Sequence, residues 1–314
     1  MLGIMFVEKG KAAFVEEPMP VCMPETVLLQ TVYSGVTNGT ERNVLLGGNY
    51  GGSWPSRCGY QCVSRVVEVG AQITRFAPGD LVYTGTFPGH VAYHTACETD
   101  LIITLPADVD PLEAALFGVA SVPMHDIRRA NIGIDDNVLV MGAGLIGQCA
   151  AQATRLVGAR VTIADLDDAR LALAAELGAD AAVNPDTDAG MAALQAAKPF
   201  SAIIECSGAD VLGLLIGKNW GQGLIGYRAR VLIIAGRSEL SYNFNAGQGA
   251  EVALLHAGHF EQIDLEHVLR HLRKDALRLR PLIKDIVPIA DAIRIYDTLR
   301  DRPNDLLGTV FVWE

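Results

Sequence analysis

The sequence predicts an α/β protein: a doubly wound parallel sheet joined to a second, β-rich domain. Two observations carry this expectation. Between about 118 and 256, strand-like apolar runs alternate with helical patterns in which small and apolar residues recur at i, i+3 and i+4. Strands separated by helices of that length need parallel crossovers, which place helices on both faces of one sheet. The flanking stretches do not alternate this way. Residues 1 to about 117 show alternating apolar runs cut by Gly, Pro and Asn turns, which marks a separate domain.

Taken in order, the β-rich part contains "ETVLLQTVYSG", "CVSRVVEVG", "DLVYTG" and "DLIITLP". The alternating part has strands at "NVLVMG", "RVTIAD", "DAAVN", "SAIIECSG", "RVLIIAG" and "EVALLH", with helices at "LIGQCAAQATRLVG" and "DDARLALAAELG". From 257 to 314 the pattern gives two amphipathic helices, "DLEHVLRHLRK" and "ADAIRIYDTLRD", and a closing strand, "GTVFVWE".

At 314 residues, 50% apolar and 19% charged, the chain has the composition of a folded protein with room for two cores. A formal net charge of −11 argues against nucleic acid and anionic membranes as partners. The densest basic stretch, "RHLRKDALRLR", reads as the solvated face of a helix. No secretory signal pattern is visible, and no apolar run approaches the roughly 20 residues that span a bilayer. The six cysteines are dispersed without disulfide-framework spacing, so a reduced, cytoplasmic setting is expected.

One motif carries chemistry. Gly142, Gly144 and Gly147 form G-x-G-x-x-G, after a buried-type strand and, with Leu145 and Ile146, at the opening of an apolar helix. Gly142 permits the tight turn, Gly144 lets a pyrophosphate approach the backbone, and Gly147 lets helix and strand pack closely. The helix N-terminus offers unpaired N–H groups to phosphate. The next strand ends in Asp165, whose carboxylate suits the adenosine ribose hydroxyls and repels a 2′-phosphate. Leu166 follows, with no adjacent Arg, so NAD(H) is expected over NADP(H). The alternative is a structural glycine turn, with Asp165 capping the next helix, a role open also to Asp167.

The chain resembles the medium-chain dehydrogenases/reductases along nearly its whole length. "SGVTNGTE", "RVVEVG", "FAPGDLVY", "VLVMGAGLIGQ", "ECSG", "RVLIIAG" and "RPLIKDIVPIADAIRIYDTLRD" fall in that family's order. The resemblance implies a β-barrel-like, GroES-like catalytic domain from 1–117 and 257–314, and a Rossmann domain over 118–256. It also implies a cofactor site that includes Cys206, Ser207, Gly208 and Gly236, and a homodimer paired through the Rossmann edge strand at "AEVALLHA".

Departures from the family pattern bear on metal. Asn38 stands where zinc members carry a Cys, Tyr60 where they carry a His, and Gly118 where the third ligand falls. An amide, a phenol and a glycine do not replace thiolate, imidazole and carboxylate ligands. The four-cysteine loop of the structural zinc is also missing, so both zinc sites are expected to be empty. His90, His94 and Cys97, and the pair Cys58 and Cys62, match no ligand spacing and read as packing.

Without zinc, another group must steady the reacting oxygen. Thr40 is the retained family residue, and the resemblance gives its hydroxyl the substrate oxygen; the alternative is a β-turn Thr bonding its own backbone. Tyr60 offers a phenol as donor or base, or is a packed strand Tyr. Asn38 and Gln61 are candidate neutral donors that orient substrate. Glu41 is the family's acidic position, with a scaffold role the stronger reading, and His94 is a relay candidate or a core residue. The run Asn38-Gly39-Thr40-Glu41 without a Cys is similar to that of bacteriochlorophyllide hydroxyethyl dehydrogenases. Together these imply a zinc-independent, NAD(H)-dependent interconversion of a secondary alcohol and a ketone on a small polar molecule such as a sugar or cyclitol. A zinc-free quinone or enoyl reductase and a non-catalytic NAD(H) sensor are the alternatives.

Overall fold

The runs Val138–Met141, Val161–Ala164 and Ala202–Ile204 have no polar break except Thr162, and each lies almost wholly inside the protein. Strands covered on both faces need such runs, and these three are neighbours in a parallel sheet. The computed structural model describes residues 1–256 and 258–314. The described residues divide into two units, Met1–Ser121 with Glu261–Glu314, and Val122–Phe260. The domain boundary expected at residue 257 falls outside the described residues.

The first unit begins with an antiparallel hairpin of β1 (Leu2–Glu8) and β2 (Lys11–Glu16). Then follow β3 (Thr26–Gly35), α1 (Asn38–Leu46), β4 (Cys62–Val69), β5 (Leu81–Thr84), β6 (Tyr93–Cys97), β7 (Ile102–Thr104) and α2 (Pro111–Ala114). The helix α3 (Phe117–Arg129) contains the boundary between the units.

In the second unit, β8 (Asn137–Met141), α4 (Leu145–Leu156), β9 (Arg160–Ala164), α5 (Asp168–Glu176), β10 (Ala181–Val183), α6 (Asp188–Ala197), β11 (Phe200–Glu205), α7 (Leu212–Leu215), β12 (Ile225–Ile233), α8 (Phe244–Ala250) and β13 (Ala253–His256) alternate. The described strands pair in parallel in the order β10-β9-β8-β11-β12-β13. That is the Rossmann order, reversing between β8 and β11, where α/β sheets of this kind take their ligands.

The chain then returns to the first unit with α9 (Gln262–Leu272), β14 (Ile283–Pro288), α10 (Ala292–Asp301) and β15 (Gly308–Val312). Apart from the β1–β2 hairpin, its described strands form one sheet in the order β14-β15-β3-β4-β5-β7, with β6 on β3. Val27, Leu29, Val66, Val82 and Ile102 fill one core, and Phe6, Leu45, Tyr296 and Phe311 anchor another under α1 and α10. The α/β class and the separate β-rich domain expected from the sequence are present.

The alternative β-turn reading of Thr40 does not hold, because the segment is helical. Residues 38–46 fall within the β-rich stretch of the sequence, yet they form α1. Asn and Gly open it, both weak helix formers, and tertiary contacts hold it: Arg42 Nε donates to the Leu299 carbonyl at 3.0 Å.

Candidate functional site

Gly142 has φ +97°, and a Cβ there would meet the Ser207 backbone at 2.9 Å. The turn after β8 therefore packs on the loop after β11, and no other residue fits at its apex. A Cβ on Gly147 would lie 1.8 Å from the Gly142 carbonyl oxygen, so the first turn of α4 rests directly on the glycine turn. Gly144, the N-cap of α4, is different: a Cβ there would meet nothing within 4 Å. Open space stands in front of the helix N–H groups that have no intrahelical acceptor. That arrangement fits a pyrophosphate. Leu145 is buried, Ile146 half-buried, and both belong to this first turn.

Ala143 is clamped on both sides. Its N–H donates to Asp165 Oδ2 at 2.5 Å, and its carbonyl accepts from Gln148 Nε2 at 3.2 Å. Asp165 Oδ1 accepts from the Asp167 N–H at 2.9 Å. Capping of α5 is done by Asp167, whose carboxylate accepts from the N–H groups of Ala169 and Arg170. Asp165 thus ties the end of β9 to the glycine turn and does not cap the helix.

The loop after β11 has its own anchor, which sequence reasoning missed. Glu205 is fully buried and accepts from the N–H groups of Ser207 at 2.8 Å and Gly208 at 3.1 Å, from the Ser207 hydroxyl, and from the Arg237 guanidinium. Gly208 has φ +70°. Gly236 is exposed beside Arg237. Burial pushes the Cys206 thiol well above its ordinary pKa, so it is a packing group and no nucleophile.

The polar candidates of the first unit gather around one amide. Gln61 is fully buried. Its Nε2 donates to Thr37 Oγ1 at 3.2 Å and to the Gly35 carbonyl at 3.5 Å, while its Oε1 accepts from the Val119 N–H at 3.0 Å. The side chain laces together the three segments that carry Asn38, Tyr60 and Gly118. Expected as a donor that orients substrate, Gln61 has its amide hydrogens on Thr37 and Gly35 and its carbonyl on Val119 inside the fold.

The structure favours the core alternative for His94. It is buried in β6, with Nε2 3.2 Å from Thr84 Oγ1 and Nδ1 3.5 Å from Thr31 Oγ1. Burial lowers its pKa to about 4, so it stays neutral and offers no proton relay near neutral pH.

Asn38 is placed otherwise than expected. Its Nδ2 donates to the carbonyls of Leu307 at 3.0 Å and Leu306 at 3.4 Å, so it has no donor left for substrate. Thr40 is half-buried in the first turn of α1. Tyr60 is 6% exposed, its ring 5.5 Å from that of Phe87, which is 68% exposed. Behind Tyr60 lies Tyr83, fully buried, its phenol held well above its ordinary pKa by desolvation and by the neighbouring Tyr60. A Cβ at Gly118 would sit 2.6 Å from Tyr83 Oη, 2.8 Å from Tyr60 Cε2 and 3.0 Å from Gln61 Oε1. No ligand side chain fits at 118, and the amide of Asn38 and phenol of Tyr60 are a poor donor set for zinc.

Glu41 is fully buried under α1. Its Oε1 accepts from the Thr37 N–H at 2.7 Å, and its Oε2 from His90 Nε2 at 3.1 Å and the Tyr296 hydroxyl at 2.8 Å. His90 Nδ1 lies 2.7 Å from Ser34 Oγ, which accepts from Trp313 Nε1 at 2.8 Å. Every proton in this chain has a consistent direction: indole to serine, serine to imidazole, imidazole to carboxylate. Glu41 positions the segment 37–40, and no exposed face is left for catalysis. The sequence reads His90 as packing and does not single out Tyr296, because their shared partner Glu41 lies 49 and 255 residues away along the chain.

Comparison with known proteins bears on both units. The family model of the alcohol dehydrogenase GroES-like domain matches residues 23–107, and that of the zinc-binding dehydrogenases matches residues 146–215. The chain is 31% identical to L-idonate 5-dehydrogenase of Vitis vinifera, over 52% of each chain. It is 29% identical to 2-dehydro-3-deoxy-L-galactonate 5-dehydrogenase of Pseudoalteromonas atlantica, over 66% of this chain and 60% of that one. These matches span about half of the first relative's length and three-fifths of the second's. A solved Escherichia coli oxidoreductase/dehydrogenase of unknown specificity shares the fold with a TM-score of 0.87 at 20% identity, over 99% of this chain and 98% of that one.

Proposed function

Because the chain belongs to the medium-chain dehydrogenase/reductase superfamily, we propose that it is an NAD(H)-dependent oxidoreductase that interconverts a secondary alcohol and a ketone on a small polar molecule, a sugar or cyclitol, without zinc. The observation that carries this reading is the open face of Gly144 beside a carboxylate at Asp165, a cradle for pyrophosphate next to an acceptor for ribose hydroxyls. The sugar-acid and sugar-alcohol names of the similar dehydrogenases support a polyhydroxylated substrate. The metal-free part is supported by the closed space at Gly118 and the neutral side chains at 38 and 60.

Gly142, Gly144, Leu145, Ile146 and Gly147 hold the pyrophosphate, Asp165 the adenosine ribose, and Cys206, Ser207, Gly208 and Gly236 line the remaining strand ends. The bound nicotinamide supplies hydride transfer. The chain's own groups deal with oxygen and proton. Thr40 Oγ1 shares a hydrogen bond with the reacting oxygen, Tyr60 Oη donates a second as negative charge grows there, and Glu41 fixes the helix turn that carries Thr40.

The edge strand β13 supports a homodimer formed by strand pairing. Six free thiols support a reducing, cytoplasmic setting. Among the described residues no helix is long and apolar enough to cross a membrane.

The test is a steady-state assay with NAD+ and a polyol panel, with and without a chelator. NADH formation should survive chelation; a large chelator-sensitive loss overturns the zinc-free part, and tighter NADPH than NADH binding favours a quinone or enoyl reductase. Cofactor binding without turnover of any alcohol leaves a sensor. In the same assay Thr40→Val should lower kcat about 100-fold, the scale of one positioned proton-handling group. Cofactor Kd should stay unchanged, and an unaltered kcat would remove Thr40 from the site.

A further inference from the structure

Glu205 ends β11 with a carboxylate that is fully buried. The loop after β11 wraps around this group. Oε1 accepts from the Ser207 and Gly208 N–H groups and from the Ser207 hydroxyl, whose oxygen accepts in turn from the Ala209 N–H at 3.1 Å. Oε2 pairs with Arg237, whose side chain is 15% exposed. The guanidinium reaches further on both sides: Nη1 donates to the Ala209 carbonyl and Nε to the Ala235 carbonyl, each at 3.2 Å. One planar fork therefore joins the far end of the loop after β11 to the loop after β12. The loop after β11 also meets the glycine turn at Gly142, but that turn has its own ties, to Asp165 and Gln148.

Resting on the reading above and extending it, we propose that Arg237 is a positioning residue for the nicotinamide half of the cofactor, locking the two loops into one floor beneath it. The pyrophosphate lies at the end of β8 and the adenosine ribose at Asp165, at the end of β9. The order β9-β8-β11-β12 then leaves the nicotinamide half over the ends of β11 and β12. Those are the ends that Arg237 bridges. Hydride transfer depends on the distance and angle of the ring, so a shifted floor lowers the rate even where the cofactor stays bound. Arg237 touches no reacting atom; it acts through Glu205 and two carbonyls. A lysine would keep the charge beside Glu205, but one ammonium cannot reproduce a fork that spans three acceptors.

The test titrates the wild type, Arg237→Lys and Arg237→Met with NADH and with ADP-ribose, which lacks the nicotinamide. It also measures kcat on the alcohol turned over best in the polyol panel. Both variants should bind NADH about 10-fold more weakly, the scale of the hydrogen bonds lost, and keep the wild-type Kd for ADP-ribose. Their kcat should fall about 10- to 100-fold, as for a reactant displaced by about 1 Å. The urea midpoint separates this from lost stability: Arg237→Met strips a buried carboxylate of its countercharge and lowers the midpoint, whereas Arg237→Lys keeps the pair. A purely structural role would move the midpoint and leave the ratio of NADH to ADP-ribose affinity as in the wild type, and that result overturns the proposal. So does a lysine variant with wild-type NADH affinity and kcat. If Arg237→Met does not fold, Arg237→Lys decides alone. Should no alcohol be turned over, the dehydrogenase reading falls and the two affinities still decide the role of Arg237. Wild-type protein that binds neither NADH nor ADP-ribose overturns the cofactor reading, and this role with it.

Discussion

Glu41→Ala is expected to destabilise the protein by about 3–5 kcal/mol, the range for removing one partner from a buried, charge-assisted network. Three donors converge on this carboxyl group, from the Thr37 backbone, His90 and Tyr296, and all three would be left facing an apolar void. The loss is concentrated because the donors come from three places: the entry to α1, the segment before β6, and α10. Glu41→Gln should cost less, about 1–2 kcal/mol. Its NH2 would face His90 and Tyr296, but Tyr296 Oη can accept, and the imidazole can change tautomer and donate from Nδ1 to Ser34 Oγ. The urea midpoint of each variant measures the effect. An alanine variant that unfolds at the wild-type midpoint would show that the network anchors nothing. If the carboxylate positions Thr40, the glutamine variant should also lose kcat while keeping its NADH affinity.

What could be read from the sequence, and what could not, follows from how local each signal is. The doubly wound sheet was legible because its strands are covered on both faces and must be continuously apolar, as in Val138–Met141. The glycine turn was legible because backbone sterics restrict those positions to one residue type: a Cβ on Gly147 would meet the carbonyl oxygen of Gly142, only five residues back. The helix α1 was not legible, since Asn38 and Gly39 argue against it and its support comes from Leu299 and from Glu41's distant partners. The same holds for chemistry. Residue type marked Gln61, His94 and Asn38 as polar candidates, but whether an amide or imidazole is free depends on what the fold sets against it. Gln61 and His94 are used up internally. Asn38 spends both amide hydrogens on the carbonyls of Leu306 and Leu307.

Asp165→Ala should raise the NADH Kd about 100-fold and narrow the preference over NADPH, for two separable reasons. The carboxylate accepts from the Ala143 and Asp167 N–H groups, so its loss frees the middle of the glycine turn and weakens the grip on the pyrophosphate of either cofactor. In the proposed complex it also accepts from the adenosine ribose hydroxyls, an interaction NADH makes and NADPH does not, and its negative charge opposes a 2′-phosphate. A charge-assisted hydrogen bond contributes about 1.5–3 kcal/mol, which is roughly 10- to 100-fold in affinity. The turn-holding part falls on both cofactors alike. The ribose part falls on NADH alone, while loss of the charge offsets the damage for NADPH. Fluorescence titration of both cofactors on the variant separates the two contributions. NADH affinity should drop at least 10-fold more than NADPH affinity. An equal drop for the two would confine Asp165 to holding the turn and move cofactor discrimination elsewhere in the strand ends, and an unchanged NADH Kd would remove it from the cofactor site.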